Sequence, residues 1–257
     1  MIKEVKGLVI RTTDIRESDR LITIFTEEEG VLSAMAQGAR SLKSRKMSST
    51  MQFCYSRFIL YKKGEYYYVR EAELIESFFD LRNSIEGLAL AAYIADVLSD
   101  VTVAAEEKEL LRLSLNSLFA IANKKYPLEK IKAAFEIRAA SILGFMPDVL
   151  SCSNCGEKGG SFYFDIMGGT IKCYACCEKE RSSNTEPENA HESHIVRILS
   201  ESAKIALCYC IYAPIEKIFS FNIPSEDMSL FSGACEDYLI NQLERSFKTL
   251  EFYKEVT

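Results

Sequence analysis

The chain has 257 residues, is 48% hydrophobic and 26% charged, and carries a formal net charge of −6, which suits one large domain or two to three small ones with ample room for a core. That acidic balance argues against a protein that coats nucleic acid over its whole surface, but it leaves room for one basic face. The longest uncharged apolar run, Ile205 to Ile215, is far too short to cross a bilayer, and MIKEVKGLVIRTTDI holds no apolar core ahead of small residues. A cytoplasmic protein without membrane contact is expected, its nine cysteines serving as thiols or metal ligands rather than disulfides.

The first 79 residues read as strands. Val5, Leu8 and Ile10 begin one run, and Leu21, Ile22, Ile24 and Phe25 a second. Val31 to Ala36 follow the turn at Gly30, and Phe53 to Lys62 and Tyr66 to Ile75 are joined at Lys63-Gly64, a short hairpin signal. Five strands without a helix long enough for a parallel crossover predict a small antiparallel barrel of the oligonucleotide/oligosaccharide-binding (OB) type.

Within this region the stretch from Gly30 to Gly64 stands out. It holds seven cations (Arg40, Lys43, Arg45, Lys46, Arg57, Lys62 and Lys63) and no acid, where average usage would put about five acids. A solvated, lysine-blunted sheet edge would explain single members. A block of one sign on an acidic chain points instead to phosphate backbones, with four cations in the seven residues from Arg40 to Lys46. Tyr66-Tyr67-Tyr68 on a strand must turn at least one ring outward, where a base could stack on it.

From residue 80 the period becomes helical. Leu81, Ile85, Leu88, Ala92 and Ala95 make one stripe, Glu106 to Ala122 a second helix, and Pro127 opens a third that Gly144 and Pro147 close. Residues 178–193 are polar and predict a flexible loop. Helical patterning resumes at Ile195, and Ser225 reads as the N-cap of one last helix running through Met228, Leu239 and Leu250.

Between the helices, Cys152-Ser-Asn-Cys155-Gly156 and Cys173-Tyr-Ala-Cys176 form two C-x2-C pairs 17 residues apart. Two thiolates two residues apart on a tight turn can both reach one tetrahedral ion, and Phe162-Tyr163-Phe164 with Gly168-Gly169 suits a hairpin joining the knuckles. One structural Zn²⁺ per chain is expected, held by Cys152, Cys155, Cys173 and Cys176. Cys177 would also satisfy a C-x3-C spacing, but Cys176 makes the two pairs match. His191 and His194, the only histidines, have a spacing that could bind metal too, but at the far end of the polar segment they read as surface residues.

Phosphate-loop, nucleophile-elbow, zinc-protease and dinucleotide motifs are absent, and two histidines in one loop leave almost nothing for acid–base catalysis. A non-enzymatic protein is expected. A protein-interaction scaffold without DNA binding and a metal-dependent nuclease are the competing classes. Salt-insensitive or absent DNA binding would favour the first, and Mg²⁺-dependent cleavage the second.

Gly7-LVIRTTDIRESDRLITIFTEEEGVLSAMAQGARSLKSR, followed by LGFMPDVLSC, C-x2-C-G, a Gly-Gly hairpin and C-x2-C, resembles the bacterial RecO family of recombination mediators over essentially the whole chain. The resemblance implies an α+β multidomain protein. An N-terminal OB-fold barrel at 1–79 would be followed by a helical domain at 80–150 and 194–257, with a zinc ribbon at 151–177 and the loop at 178–193 inserted between its helices. It implies a nucleoid-associated role without enzymatic activity: binding of single- and double-stranded DNA, annealing of complementary strands, complex formation with RecR, and contact with the C-terminal tail of single-stranded-DNA-binding protein so that RecA loads. Arg11, Arg40, Lys43 and Arg45 match its basic motif. For the acidic tail, the helix from Leu128 offers Ile131 and Phe135 beside Lys130, Lys132 and Arg138, a pattern that suits an apolar groove with a cation at its rim. The same pattern also suits a core helix whose cations cover its exposed face.

Overall fold

The computed structural model describes residues 2–15, 17–100, 107–183 and 195–257. Contacts divide the chain into two compact units, residues 1–125 with 247–257, and residues 126–246.

The first unit is built on β1 (Ile2–Asp14), β2 (Arg20–Thr26), β3 (Gly30–Ala36), β4 (Cys54–Lys63) and β5 (Tyr66–Ser77). They close into an OB-type barrel in the order β1-β2-β3-β5-β4, with β4 returning to β1. Alternation places Val5, Val9, Ile22, Ile24, Phe58, Leu60 and Val69 inside. The single parallel pairing, Ala34 and Met35 of β3 against Tyr67 and Tyr68 of β5, seals the cylinder. Where β1 pairs with the end of β2, the chain requires glycine: a Cβ on Gly7 would lie 2.4 Å from Ile24 Cγ2 and 2.6 Å from the Phe25 carbonyl oxygen.

Helices α1 (Ile85–Asp100) and α2 (Glu107–Ala122) complete this unit with α7 (Lys248–Val256). The single terminal helix expected from sequence is in fact two. Helix α6 (Ser225–Leu243) stops at Glu244, whose φ of 51° is left-handed, and α7 restarts after Phe247, whose ring meets Tyr93 edge-on at 5.6 Å. Pro224 rather than Ser225 occupies the cap position.

The second unit contains α3 (Leu128–Ile142), the hairpin of β6 (Phe162–Asp165) and β7 (Thr170–Cys173), α4 (Tyr174–Ser183), β8 (Val196–Leu199), α5 (Glu201–Tyr212) and α6. Two further expectations are corrected. The polar segment begins as helix, because Glu180 on α4 takes hydrogen bonds from Lys172 and Asn154; residues 184–193 lie outside the described residues, as do His191 and His194. The stretch from Ile195 is not helix at first but strand, with β8 pairing β6 to make a sheet in the order β7-β6-β8. Helix α5 starts only after Ser200, whose hydroxyl caps it by accepting from the Ala203 N–H at 3.1 Å.

Candidate nucleic-acid interface and metal centre

The basic block of the sequence is dispersed by the fold into three settings. The segment from Arg40 to Lys46 leaves the end of β3 as a loop of tight turns. Ser41 N–H donates to the Gly38 carbonyl, Ser44 N–H to Ser41 at 2.8 Å, and Met47 N–H to Ser44. The loop is fastened to the barrel at both ends: Arg40 N–H donates to Ser18 O at 3.0 Å, Gly38 N–H to Asp19 Oδ1 at 2.8 Å, and Lys46 Nζ to Val69 O at 3.3 Å. Part of the cationic charge is used in this fastening. Arg40 pairs with Asp14 at 3.1 Å, and burial lowers the pKa of Lys46. Lys43 and Arg45 are exposed and form no ion pair among the described residues. The acids that anchor the loop, Asp14 and Asp19, precede the acid-free stretch, so the one-dimensional charge count gave no sign of them.

Arg57 sits elsewhere. Antiparallel pairing sets Lys6, Arg57 and Glu73 side by side across β1, β4 and β5, and Arg57 contacts Glu4 at 3.6 Å and Glu73 at 3.9 Å. Lys62 and Lys63 belong to the β4–β5 hairpin, where Lys62 Nζ lies 5.8 Å from the Tyr67 ring centroid. Arg11 leans onto α1, 3.6 Å from Asp96. Of the tyrosine trio, Tyr68 stacks on Tyr61 at 5.4 Å, Tyr67 lies beneath Lys3 and Lys62, and Tyr66 alone is exposed, at 72%.

The cysteine pairs converge. The sulfurs of Cys152, Cys155, Cys173 and Cys176 all lie within 4.8 Å of one another, with Cys155 and Cys173 3.6 Å apart. Four sulfurs at a Zn–S distance of about 2.3 Å on a tetrahedron stand about 3.8 Å apart, so the donor set fits that ion. Three local devices place the four ligands. Cys152 and Cys155 flank a knuckle closed by Gly156 N–H donating to Cys152 O at 2.9 Å, with Gly156 at a left-handed φ of 76°. Cys173 ends β7, and Cys176 lies in the first turn of α4, which leaves Cys177 outside the cluster. Burial opposes ionisation of Cys152, but the backbone N–H groups of Cys173, Cys155 and Asn154 outweigh it and lower its pKa to about 6. The neighbouring sulfurs of Cys155 and Cys173 push Cys176 up to about 12. Thiols that hinder one another's ionisation in this way need a shared cation to become thiolates together.

Helix α3 follows the core alternative of its sequence pattern, except that its cations are buried as well. Instead of forming a groove, Ile131 and Phe135 are 0% exposed, and Arg138 is 9% exposed. The Arg138 guanidinium donates to the carbonyls of Ile211 and Ala213 at the end of α5. Lys132 lies between Glu136 and Glu236, and Lys130 donates to Phe221 O. Residues Lys130 to Ser141 are all buried, with α5 and α6 packed against the helix, so its cations serve packing partners and the three residues offer no open rim.

A family model described as Recombination protein O N terminal matches residues 1–78, and one described as Recombination protein O C terminal matches residues 82–251. A DNA repair protein RecO of Acetivibrio thermocellus is 33% identical over 253 residues, covering 98% of this chain and 96% of that protein. The DNA repair protein RecO of Alkaliphilus metalliredigens is 27% identical over the whole of both chains, and that of Caldanaerobacter subterraneus subsp. tengcongensis is 26% identical over 97% of this chain and 96% of its own.

Proposed function

The chain belongs to the recombination protein O family, and from that premise we propose that it is a non-enzymatic mediator of DNA repair and recombination that binds DNA through the loop from Arg40 to Lys46. The observation that carries this reading is the exposed, unneutralised pair Lys43 and Arg45 on a hydrogen-bonded loop of a small barrel. Long cations on a fixed scaffold suit phosphate oxygens and carry no base information, so these contacts do not themselves distinguish single from double strands. Anchored cations that lower the repulsion between two strands would promote annealing. In this reading the protein acts with RecR and meets the C-terminal tail of single-stranded-DNA-binding protein to help RecA load. The tail's surface lies elsewhere than the enclosed face of α3. The cysteine cluster holds one structural Zn²⁺: four thiolates leave no open coordination position, so the ion's role is to fold the ribbon.

A salt-titrated DNA-binding assay tests this. Replacing Lys43 and Arg45 with Glu is expected to weaken binding to both DNA forms and to lower the salt slope by roughly 0.7 to 0.9 per lost contact. An unchanged slope would place the interface on another face of the protein.

A further inference from the structure

Leu42 is 90% exposed, the highest value among the large hydrophobic residues described, and it sits within the most basic segment of the chain. Its position is fixed. The hydrogen bond from Ser44 N–H to Ser41 O makes residues 41–44 a turn with Leu42 and Lys43 at its two central positions. That turn is held between the Arg40–Ser18 bond on one side and the Lys46–Val69 bond on the other. The loop therefore holds an isobutyl group in water at the tip, beside two cations that form no ion pair among the described residues, in a place where it contributes nothing to the core. Single exposed leucines are common on protein surfaces, but one set in a turn next to Lys43 and Arg45 has a ligand defined by its neighbours.

Resting on the DNA-binding reading above, we propose that Leu42 is an apolar wedge that enters between bases while Lys43 and Arg45 hold the adjoining phosphates. A branched aliphatic group has no π-face to serve as a stacking platform, so its gain comes from filling an opened base step. Such steps are cheapest in single strands and at duplex ends, where strands are being paired or parted. The wedge therefore adds a preference for unpaired DNA to phosphate contacts that supply none. An anionic membrane is the less suited partner, because a lone leucine flanked by Ser41 and Ser44 lacks the broad apolar face that inserts into lipid.

The chain contains no tryptophan, so Leu42→Trp places a sole indole at the tip of the full-length protein. Addition of single-stranded oligonucleotide is expected to quench its emission through base contact, and blunt duplex to quench it less. Leu42→Ala, at a position too exposed to affect folding, is expected to weaken single-strand binding roughly tenfold, a factor worth about 1.4 kcal/mol, and duplex binding less, with the salt slope unchanged. Wild-type affinity in Leu42→Ala together with an unquenched indole would overturn the wedge. A blue shift with phosphatidylserine vesicles and none of the DNA response would overturn it in favour of a membrane contact. The underlying reading fails separately: it falls if the wild-type protein binds no DNA or if Lys43 and Arg45 leave the salt slope untouched, whereas a neutral Leu42 on a protein that depends on those cations removes the wedge alone.

Discussion

Arg138→Ala should destabilise the second unit and leave DNA binding intact. Arg138 donates to the Ile211 and Ala213 carbonyls, which belong to the last turn of α5, where a helix has no backbone donors of its own left to offer. A cation there also faces the negative end of the helix dipole. Both acceptors are enclosed, Ile211 at 1% and Ala213 at 8% exposure, so water does not replace the lost donors. Two hydrogen bonds to a charged group contribute about 3 to 6 kcal/mol together. Against this, the Nε of Arg138 is buried with no partner, and removing that unmet donor returns roughly 1 to 3 kcal/mol. Taking the middle of each range, the balance is a loss of about 2.5 kcal/mol, or on the order of 10 °C in the melting of a unit of this size. Thermal unfolding followed by circular dichroism on the full chain measures it. Arg138→Met, which keeps the apolar stem, separates the donors from the cavity. A melting temperature within about 2 °C of wild type for both variants would refute the anchoring role. Normal stability with lost binding of an acidic tail peptide would restore α3 as a docking element.

Two further changes test other parts of the fold. Cys155→Ser is expected to lower the zinc content measured after purification without chelator from about one per chain to a small fraction, and acidification should release the ion from the wild-type protein as protons compete for the thiolates; a metal-free wild type would dismiss the centre. Gly7→Ala should cost about 1 to 3 kcal/mol in urea denaturation, since its methyl group would press on Ile24 and the Phe25 carbonyl where β1 pairs with the end of β2, and unchanged stability would mean that the two strands separate without cost.

What could be read in the sequence and what could not follow from the range of the interactions involved. The barrel is legible because period-two alternation and the turn glycines Gly30 and Gly64 act within a few residues. The cysteine pairs are legible because ligand spacing on a knuckle is itself a local geometric constraint. β8 is not, because four residues give alternation too little length to register, and its strand state is fixed by pairing with β6 more than thirty residues earlier. The break between α6 and α7 is hidden for a related reason. The apolar period runs through Phe247, and only the left-handed Glu244 stops the helix. Burial of the cations on α3 escaped because Lys130, Lys132 and Arg138 look like an exposed face until the carbonyls and carboxylates of α5, α6 and the Phe221 segment are brought to them.

Charge was legible as composition but not as potential, and Arg57 makes that difference measurable. In the sequence it is one of seven cations in an acid-free run. In the barrel its strand neighbours come from outside that run, and they bring Glu4 and Glu73 within 4 Å while Glu71 lies one row away, opposite Ile59. A phosphate approaching Arg57 would meet three carboxylates, whose repulsion offsets the attraction of Arg57 and the adjacent Lys6 over a separation comparable to the Debye length. Lys43 and Arg45 form no ion pair among the described residues. Arg57→Ala is therefore expected to leave the salt slope of DNA binding unchanged and affinity within about twofold, where Lys43→Ala lowers the slope by roughly 0.7 to 0.9. Glu73→Lys provides the converse: if the face is silent only because of its acids, reversing one should raise non-specific affinity and steepen the slope. Should Arg57→Ala lower the slope as much as Lys43→Ala, DNA must run across β1, β4 and β5, and the loop would be one contact on a longer track.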